Sequence, residues 1–294
     1  AFSERGYRPE RATLVIVGDM NLDMIEAEIA RRFGDWRGVG DAVPEPTAGA
    51  IPLDRAAAAD VFTHPAIPEQ VTISWFKPWR LEADTRALRH RRMLESIAEA
   101  AFERRLSRMA LSADAPFTAA GFSDGNNFDL AIGLTLSASA REGEWARALT
   151  AIENEFRRAI EHGFTEAEIA EQVANARTAI RNEVAGVATR RSGSLAARLL
   201  GAADGRSVVT SPATRAALFE EFAPTITPET VTQAFRAMRE GIGEPLVRVT
   251  AKTPIEGGDG AVLAAFGNAR AVAVLPPEAR ASATFAYSDF GTPG

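Results

Sequence analysis

Apolar positions along this chain follow two periods, and the change from one to the other marks most of its elements. Residues 12–17, "ATLVIV", are a continuous apolar run of the kind expected of a strand covered on both faces. Gly18-Asp19 is a turn and Asn21 an N-cap candidate. Leu22, Ile25, Ile29 and Phe33 then form a one-sided helical stripe that ends near Gly34, with Trp36 packing behind it. "ADVFTHP" and "QVTISWFKP" are strand-like and separated by a Pro-containing turn. A long helix is predicted over residues 85–109, with Leu88, Leu94, Ile97, Ala101, Leu106 and Met109 as its buried side. Phe128, Leu130, Ile132, Leu134 and Leu136 alternate strictly, which predicts a strand buried on one face. "SDGNN" just before them is turn chemistry, so residues 117–137 are expected to form an antiparallel hairpin.

Residues 142–240 are predicted to be helical. Thr165 and Glu168 have capping-box spacing, and Ser211-Pro212 and Thr227-Pro228 each put a capping hydroxyl before a proline at the first helical position. "EPLVRVTA" is a strand again, followed by a short helix "GAVLAAF" and a further strand "ARAVAVL". The expected class is α+β, with a mixed, largely antiparallel sheet packed against several helices.

Residues 38–58 are rich in Gly, Pro and Ala and are expected to be a linker. A second unit then runs over 59–275, and 276–294 is expected to be an extended exit segment. The end of that unit echoes the start of the chain. "ATLVIVGDMNLDMIEAEIARRFG" and "EPLVRVTAKTPIEGGDGAVLAAFG" both run from an L-V-x-V strand through a turn to a helix reaching Phe-Gly. Residues 1–37 are therefore expected to be the closing strand and helix of a preceding copy of the fold, whose body lies outside this sequence. Without that body, the strand should be solvent-exposed, paired with the second unit's sheet, or paired with another molecule.

Composition removes several function classes. The net charge of −6 over 294 residues argues against a general affinity for nucleic acid, which needs a basic face. Arg is plentiful but interleaved with Glu and Asp, the pattern of solvated helix faces. There is no Cys, hence no thiol nucleophile, disulfide or Cys-type zinc site. No apolar stretch approaches the ~20 residues that span a bilayer.

Candidate chemistry is sparse. A zinc hydrolase would show paired His on one helix, as in H-E-x-x-H or H-x-x-E-H, but His64, His90 and His162 each lack a second His within a turn. His64 sits beside Pro at a strand end, His90 among arginines that would disfavour a bound cation, and His162 at a helix end where it suits the dipole. Ser192 and Ser194 in "RRSGS" lie inside a helical stretch and form no nucleophile elbow. The glycine runs at 38–40 and 256–260 complete neither a phosphate loop nor a dinucleotide fingerprint. Carboxylate pairs such as Glu166 and Glu168 fit caps and solvated faces. No catalytic, metal-binding or substrate-binding residue is assigned from composition and spacing.

"YRPERATLVIVGDMNLDMIEAEIARRFGDW" resembles the segment that closes the catalytic domain in pitrilysin/insulinase-type (inverzincin) zinc metallopeptidases: Tyr-x-Pro, a strand ending Val-Gly-Asp, a helix ending Phe-Gly-x-Trp. "RRLSRMALSADAPFTAAGFS", "EHGFTEAEIAEQVANARTAIRNE", "ATRRSGSLAARLL" and "FAPTITPETVTQAFRAM" are similar, in this order, to that family's non-catalytic companion domain, and "AYSDFGTPG" looks like a link to a further domain. The match covers nearly the whole chain and is nearest to long bacterial exported members.

The resemblance implies repeated α+β domains enclosing a chamber for unfolded peptides. It also implies a zinc site, H-x-x-E-H plus a downstream Glu, in the preceding catalytic domain rather than in this chain. The family's substrate-holding Arg and Tyr fall at Ala110 and Phe117 here, a departure that fits a chamber-lining role. The expectation is a non-catalytic, chamber-forming domain with no cofactor of its own. Its partners would be the other domains of the same polypeptide and the peptides they enclose, and export or a periplasmic location is implied only by resemblance. Two alternatives stand: a scaffold or partner-binding domain of an inactive relative, separated by whether H-x-x-E-H lies upstream, and an unrelated ligand-binding α+β domain, favoured by a closed polar pocket.

Overall fold

A computed structural model describes residues 6–41 and 49–277. All but one of the strands predicted in the second unit join in one sheet. β1 (Ala58–Thr63), β2 (Gln70–Pro78), β3 (Phe117–Asn127), β4 (Ala131–Ala140) and β5 (Leu246–Ala251) lie in the order β1-β5-β2-β4-β3. β1 and β5 are parallel and the remaining pairs antiparallel. Around it are α1 (Leu22–Phe33), α2 (Arg86–Ala110), α3 (Trp145–His162), α4 (Glu166–Ala185), α5 (Ser192–Asp204), α6 (Pro212–Phe222), α7 (Pro228–Ala237) and α8 (Gly258–Ala271).

The period-2 pattern puts every second residue on the helix side. Val71, Ile73 and Trp75 of β2 align with Ala138, Leu136 and Leu134 of β4, and Val71 and Ile73 also face Val249 and Val247 of β5. All of these are buried. Helices α2, α3 and α7 cover that face through a cluster of rings, Phe102, Phe122, Phe156, Phe164 and Phe235, with centroids 5.3–5.7 Å apart in the closest pairs, and α8 adds Val262 and Phe266 to the core. The opposite face carries Thr72, Ser74, Thr135, Ser137, Ser139 and Thr250, all partly exposed.

Helix starts follow the predicted caps. Thr85, Ser211 and Thr227 each accept from the third helical amide, and Thr165 and Glu168 close a reciprocal capping box. At α3 the N-cap residue, Glu144, makes no capping bond. Glu69, from the turn between β1 and β2, takes its place: its carboxylate accepts from Gly143 N at 3.1 Å and Trp145 N at 2.9 Å. Glu69→Ala is expected to destabilise the fold by about 1–2 kcal/mol, the upper range for a lost cap, since two amides lose their acceptor. Urea unfolding would check it, and a loss below about 0.3 kcal/mol would rule the cap out as a stabilising contact.

Three expectations are corrected. Residues 12–17 form no strand, because among the described residues no backbone is aligned with them; Leu14 is 56% and Ile16 44% exposed, the solvent-exposed outcome of the three expected for a run without its sheet. The hairpin turn is not "SDGNN", which belongs to β3. It lies at 127–130, where Phe128 (φ 53°) and Asp129 (φ 56°) both take the left-handed conformation of a type I′ turn. Asn126 stabilises it by accepting from Asp129 N at 2.9 Å and donating to the Asp129 carboxylate at 2.6 Å, leaving Phe128 outside the core and 92% exposed. Finally, "ARAVAVL" is no strand. α8 continues past Phe266-Gly267 to Ala271, and residues 272–275 lie as a strap along α3. Arg157 donates to the carbonyls of Arg270 and Val272, Arg158 to Leu275 O at 2.9 Å, and His162 Nε2 lies 2.9 Å from Val274 O. Side chains thus satisfy carbonyls that a sheet would otherwise have paired. Of the expected exit segment, only 276 and 277 fall within the described residues.

Candidate functional site

The three histidines stand on separate elements, each with its own partner. His64 Nδ1 accepts from Ala66 N at 3.2 Å. His90 lies over Phe222 at 4.7 Å with Nε2 2.7 Å from Thr225 Oγ1. His162 serves the strap. Among the described residues no group of three or more His, Cys, Asp or Glu is arranged to hold a metal ion. Ser192 opens α5 and Ser194 lies in its first turn, with no strand leading into them. Glu166 is in the first turn of α4 and Glu168 is occupied by the capping box and by Arg105.

The Gly-Phe-Thr-x-x-Glu passage is a packing device. Gly163 takes φ +71°, and a Cβ there would sit 2.3 Å from Thr232 Oγ1 on α7, so only glycine fits. Phe164 enters the core and donates its amide to Thr232 Oγ1 at 3.2 Å. The guanidinium of Arg105 on α2 lies over the Phe164 ring at 4.9 Å. It donates to both oxygens of Glu168 at 2.6 and 2.7 Å, to Gly163 O at 2.8 Å and to Glu155 of α3 at 3.4 Å. One side chain thereby ties three helices at a buried junction. The periodic stripe of α2 did not reveal it, because a charged residue at a core-facing position is legible only once its distant acids are in place.

Near the end of α2 a cleft of about 540 Å³ opens against the first turn of α3, lined by Met109, Pro116, Ala146, Arg147 and Thr150 among others. Phe117, one of its lining residues, is fully buried, while Ala110 is not among them and is half-buried on α2. Both side chains are apolar, without the guanidinium or phenol that the resemblance would put there.

One acidic stripe is electrostatically strained. Glu95, Glu99 and Glu103 recur every four residues along α2, with Asp124 of β3 facing them. Burial, reinforced by the charges of Asp124, Glu95 and Glu103, pushes the Glu99 carboxyl up to about 7 from its ordinary 4.5. The folded state therefore holds a proton that the unfolded chain releases earlier. The penalty is absent below the ordinary value, grows as pH rises through that window, and is complete above about 7. After allowance for solvent screening, Glu99→Gln is expected to stabilise the protein by about 1–2 kcal/mol at pH 8 and by almost nothing at pH 4. Equal gains at both pH values in urea titrations would refute this account.

The family model described as the peptidase M16 inactive domain matches residues 1–176. Protein YhjJ of Salmonella typhimurium is 30% identical over 88 residues, which are 30% of this chain and 17% of that protein. Among solved structures, the periplasmic protease PqqL from Escherichia coli superposes with a TM-score of 0.79 at 16% identity, over 98% of this chain and 32% of that one. A predicted insulinase family protease from Yersinia pestis gives 0.74 at 14% identity, over 92% and 58%. The chain thus spans under a third of the length of YhjJ and of PqqL.

Proposed function

The chain belongs to the peptidase M16 inactive-domain family, and from that premise we propose that it is a non-catalytic wall of a peptide-enclosing chamber in a longer zinc-dependent metallopeptidase. The observation that carries this reading is a two-layer domain, a sheet with its helices on one side. One sheet face is sealed by helices, while the other presents partly exposed hydroxyls. Short Ser and Thr side chains can solvate an extended peptide backbone without selecting a side chain, which suits a wall that must accept many sequences.

On this reading residues 1–37 complete a neighbouring catalytic-type domain, 38–58 link it to the second unit, 59–275 are the chamber domain, and 276–294 lead to a further domain. The exposed run at 12–17 and the absence of any buried residue in α1 support that division. An apolar strand and an amphipathic helix without cover are the two parts needed to finish a sheet and its helical layer. Zinc chemistry would reside in the upstream domain, and the partners are the other domains of the same polypeptide and the peptides they enclose.

The test compares this chain with the longest polypeptide its gene encodes. The isolated chain should contain no stoichiometric zinc by mass spectrometry and cleave no fluorogenic peptide. The full polypeptide should show zinc-dependent hydrolysis that is lost when residues 58–277 are deleted. Stoichiometric zinc or peptidase activity in the isolated chain would overturn the proposal. A full polypeptide that lacks both H-x-x-E-H and hydrolysis would favour a scaffold.

A further inference from the structure

Between α3, α8 and the loop joining α7 to β5 lies a small polar cavity of about 120 Å³, lined by Trp75, Glu153, Arg239, Glu244, Phe266 and Arg270 among others. Glu153, near the middle of α3, is only 4% exposed, yet its Oε2 has no hydrogen-bond partner. Nε of Arg239 is buried and unpartnered too, with its guanidinium over the Phe156 ring at 5.3 Å. Arg270 packs over Phe266 at 5.7 Å and meets Glu244 at 3.7 Å. One oxygen of a buried acid and one nitrogen of a half-buried guanidinium lack partners, and both side chains line the same cavity, an arrangement that suits an occupant able to bond to both groups.

We infer that this cavity binds a small oxyanion of the carboxylate or phosphate class, held by the guanidinium groups of Arg239 and Arg270 and by a proton donated from the Glu153 carboxyl. The size is appropriate: with about 30 Å³ as a water's share of liquid volume, the cavity admits a small polyatomic ion and excludes a peptide or nucleotide. The apolar walls, Trp75 and Phe266, keep the dielectric low, where charge-assisted bonds are strongest.

Protonation makes the site selective for charge. The charged groups facing Glu153 are Arg239, Arg270 and, from α3 itself, Arg157, with Glu244 beside Arg270. Burial outweighs the arginines and pushes the Glu153 carboxyl up to about 7. Below that value the acid is neutral, the two lining arginines outnumber the one remaining carboxylate, and an anion gains a donor. Above it, the carboxylate repels the anion.

Calorimetric titration of the full chain tests this with two probes whose charge does not change between pH 6 and pH 8: sulfate for the phosphate class and acetate for the carboxylate class. One saturable site is expected, binding about tenfold more tightly at pH 6 than at pH 8 as the binding-competent fraction falls. Glu153→Gln should keep binding and flatten the pH dependence, while Arg239→Met should abolish it. Arg270→Gln alters a half-exposed side chain and keeps most of its length over Phe266; it should weaken binding at least tenfold, so it serves if Arg239→Met fails to fold. No saturable heat from either probe would mean that water alone fills the cavity. That result, or binding unchanged in Arg270→Gln, or equal affinity at both pH values, would overturn the inference. Acetate alone, sulfate alone, or both would each support it and identify the class.

Discussion

Alanine at Arg105 is expected to lower folding stability by about 3–5 kcal/mol, the range for removing one partner from a buried ionic cluster. The side chain is 6% exposed and satisfies Glu168 through two bonds, Gly163 O through one, and Glu155 through another. Its loss leaves Glu155, itself buried, with Arg158 as its one remaining ionic partner, and leaves the Gly163 carbonyl without its donor. Arg105→Lys should recover only part of the loss, since one ammonium cannot span two carboxylates, a carbonyl and a ring face. Arg108, a turn further on, pairs with Glu171 near the surface, and Arg108→Ala should cost less than about 1 kcal/mol. Urea unfolding of both variants decides the matter: comparable losses would mean that the buried cluster is not a special contributor.

Phe156→Ala should be as damaging, about 3–5 kcal/mol, for a different reason. The ring is almost fully buried and touches Trp75 at 5.1 Å, Phe122 at 5.5 Å, Phe102 at 5.7 Å and Phe235 at 5.7 Å. It joins α3 to the sheet, to α2 and to α7 at once. Rings held from several elements cannot all move into the vacated space, so much of the cavity should remain open. Phe156→Leu, which restores part of the volume, should recover about half of the loss. A cost for Phe156→Ala below about 1 kcal/mol in the same assay would show that the cluster relaxes freely.

Local and periodic features were legible in the sequence. The long stripe of α2, the capping residues and the strands of the second unit follow from neighbours within a turn or a pleat. What stayed hidden depends on distant partners. Arg105 resembles a surface arginine until Glu155 and Glu168, 50 and 63 residues later, converge on it. Glu69 resembles a loop acid until α3 starts above it. Glu153 has nothing in its own helix to suggest burial. The run at 12–17 has strand character, but pairing is a property of two segments and not of one. "SDGNN" has turn residues, yet two successive residues with positive φ just beyond it take the turn. The family resemblance was legible because it rests on the order of packing motifs. No site residue was legible by that route, since the departures at Ala110 and Phe117 remove the polar groups that would have marked one.

The strap along α3 has a mechanical consequence. Arg157, Arg158 and His162 fasten the end of α8 and residues 272–275, so the backbone is held in place as far as Leu275. Four residues that could have served as free leash, about 14 Å of contour, are withdrawn from it. A shorter leash raises the effective concentration of the next segment at the surface where it docks. The three side chains therefore act as a stop: any reach measured from this domain starts at residue 275 and not at the end of α8.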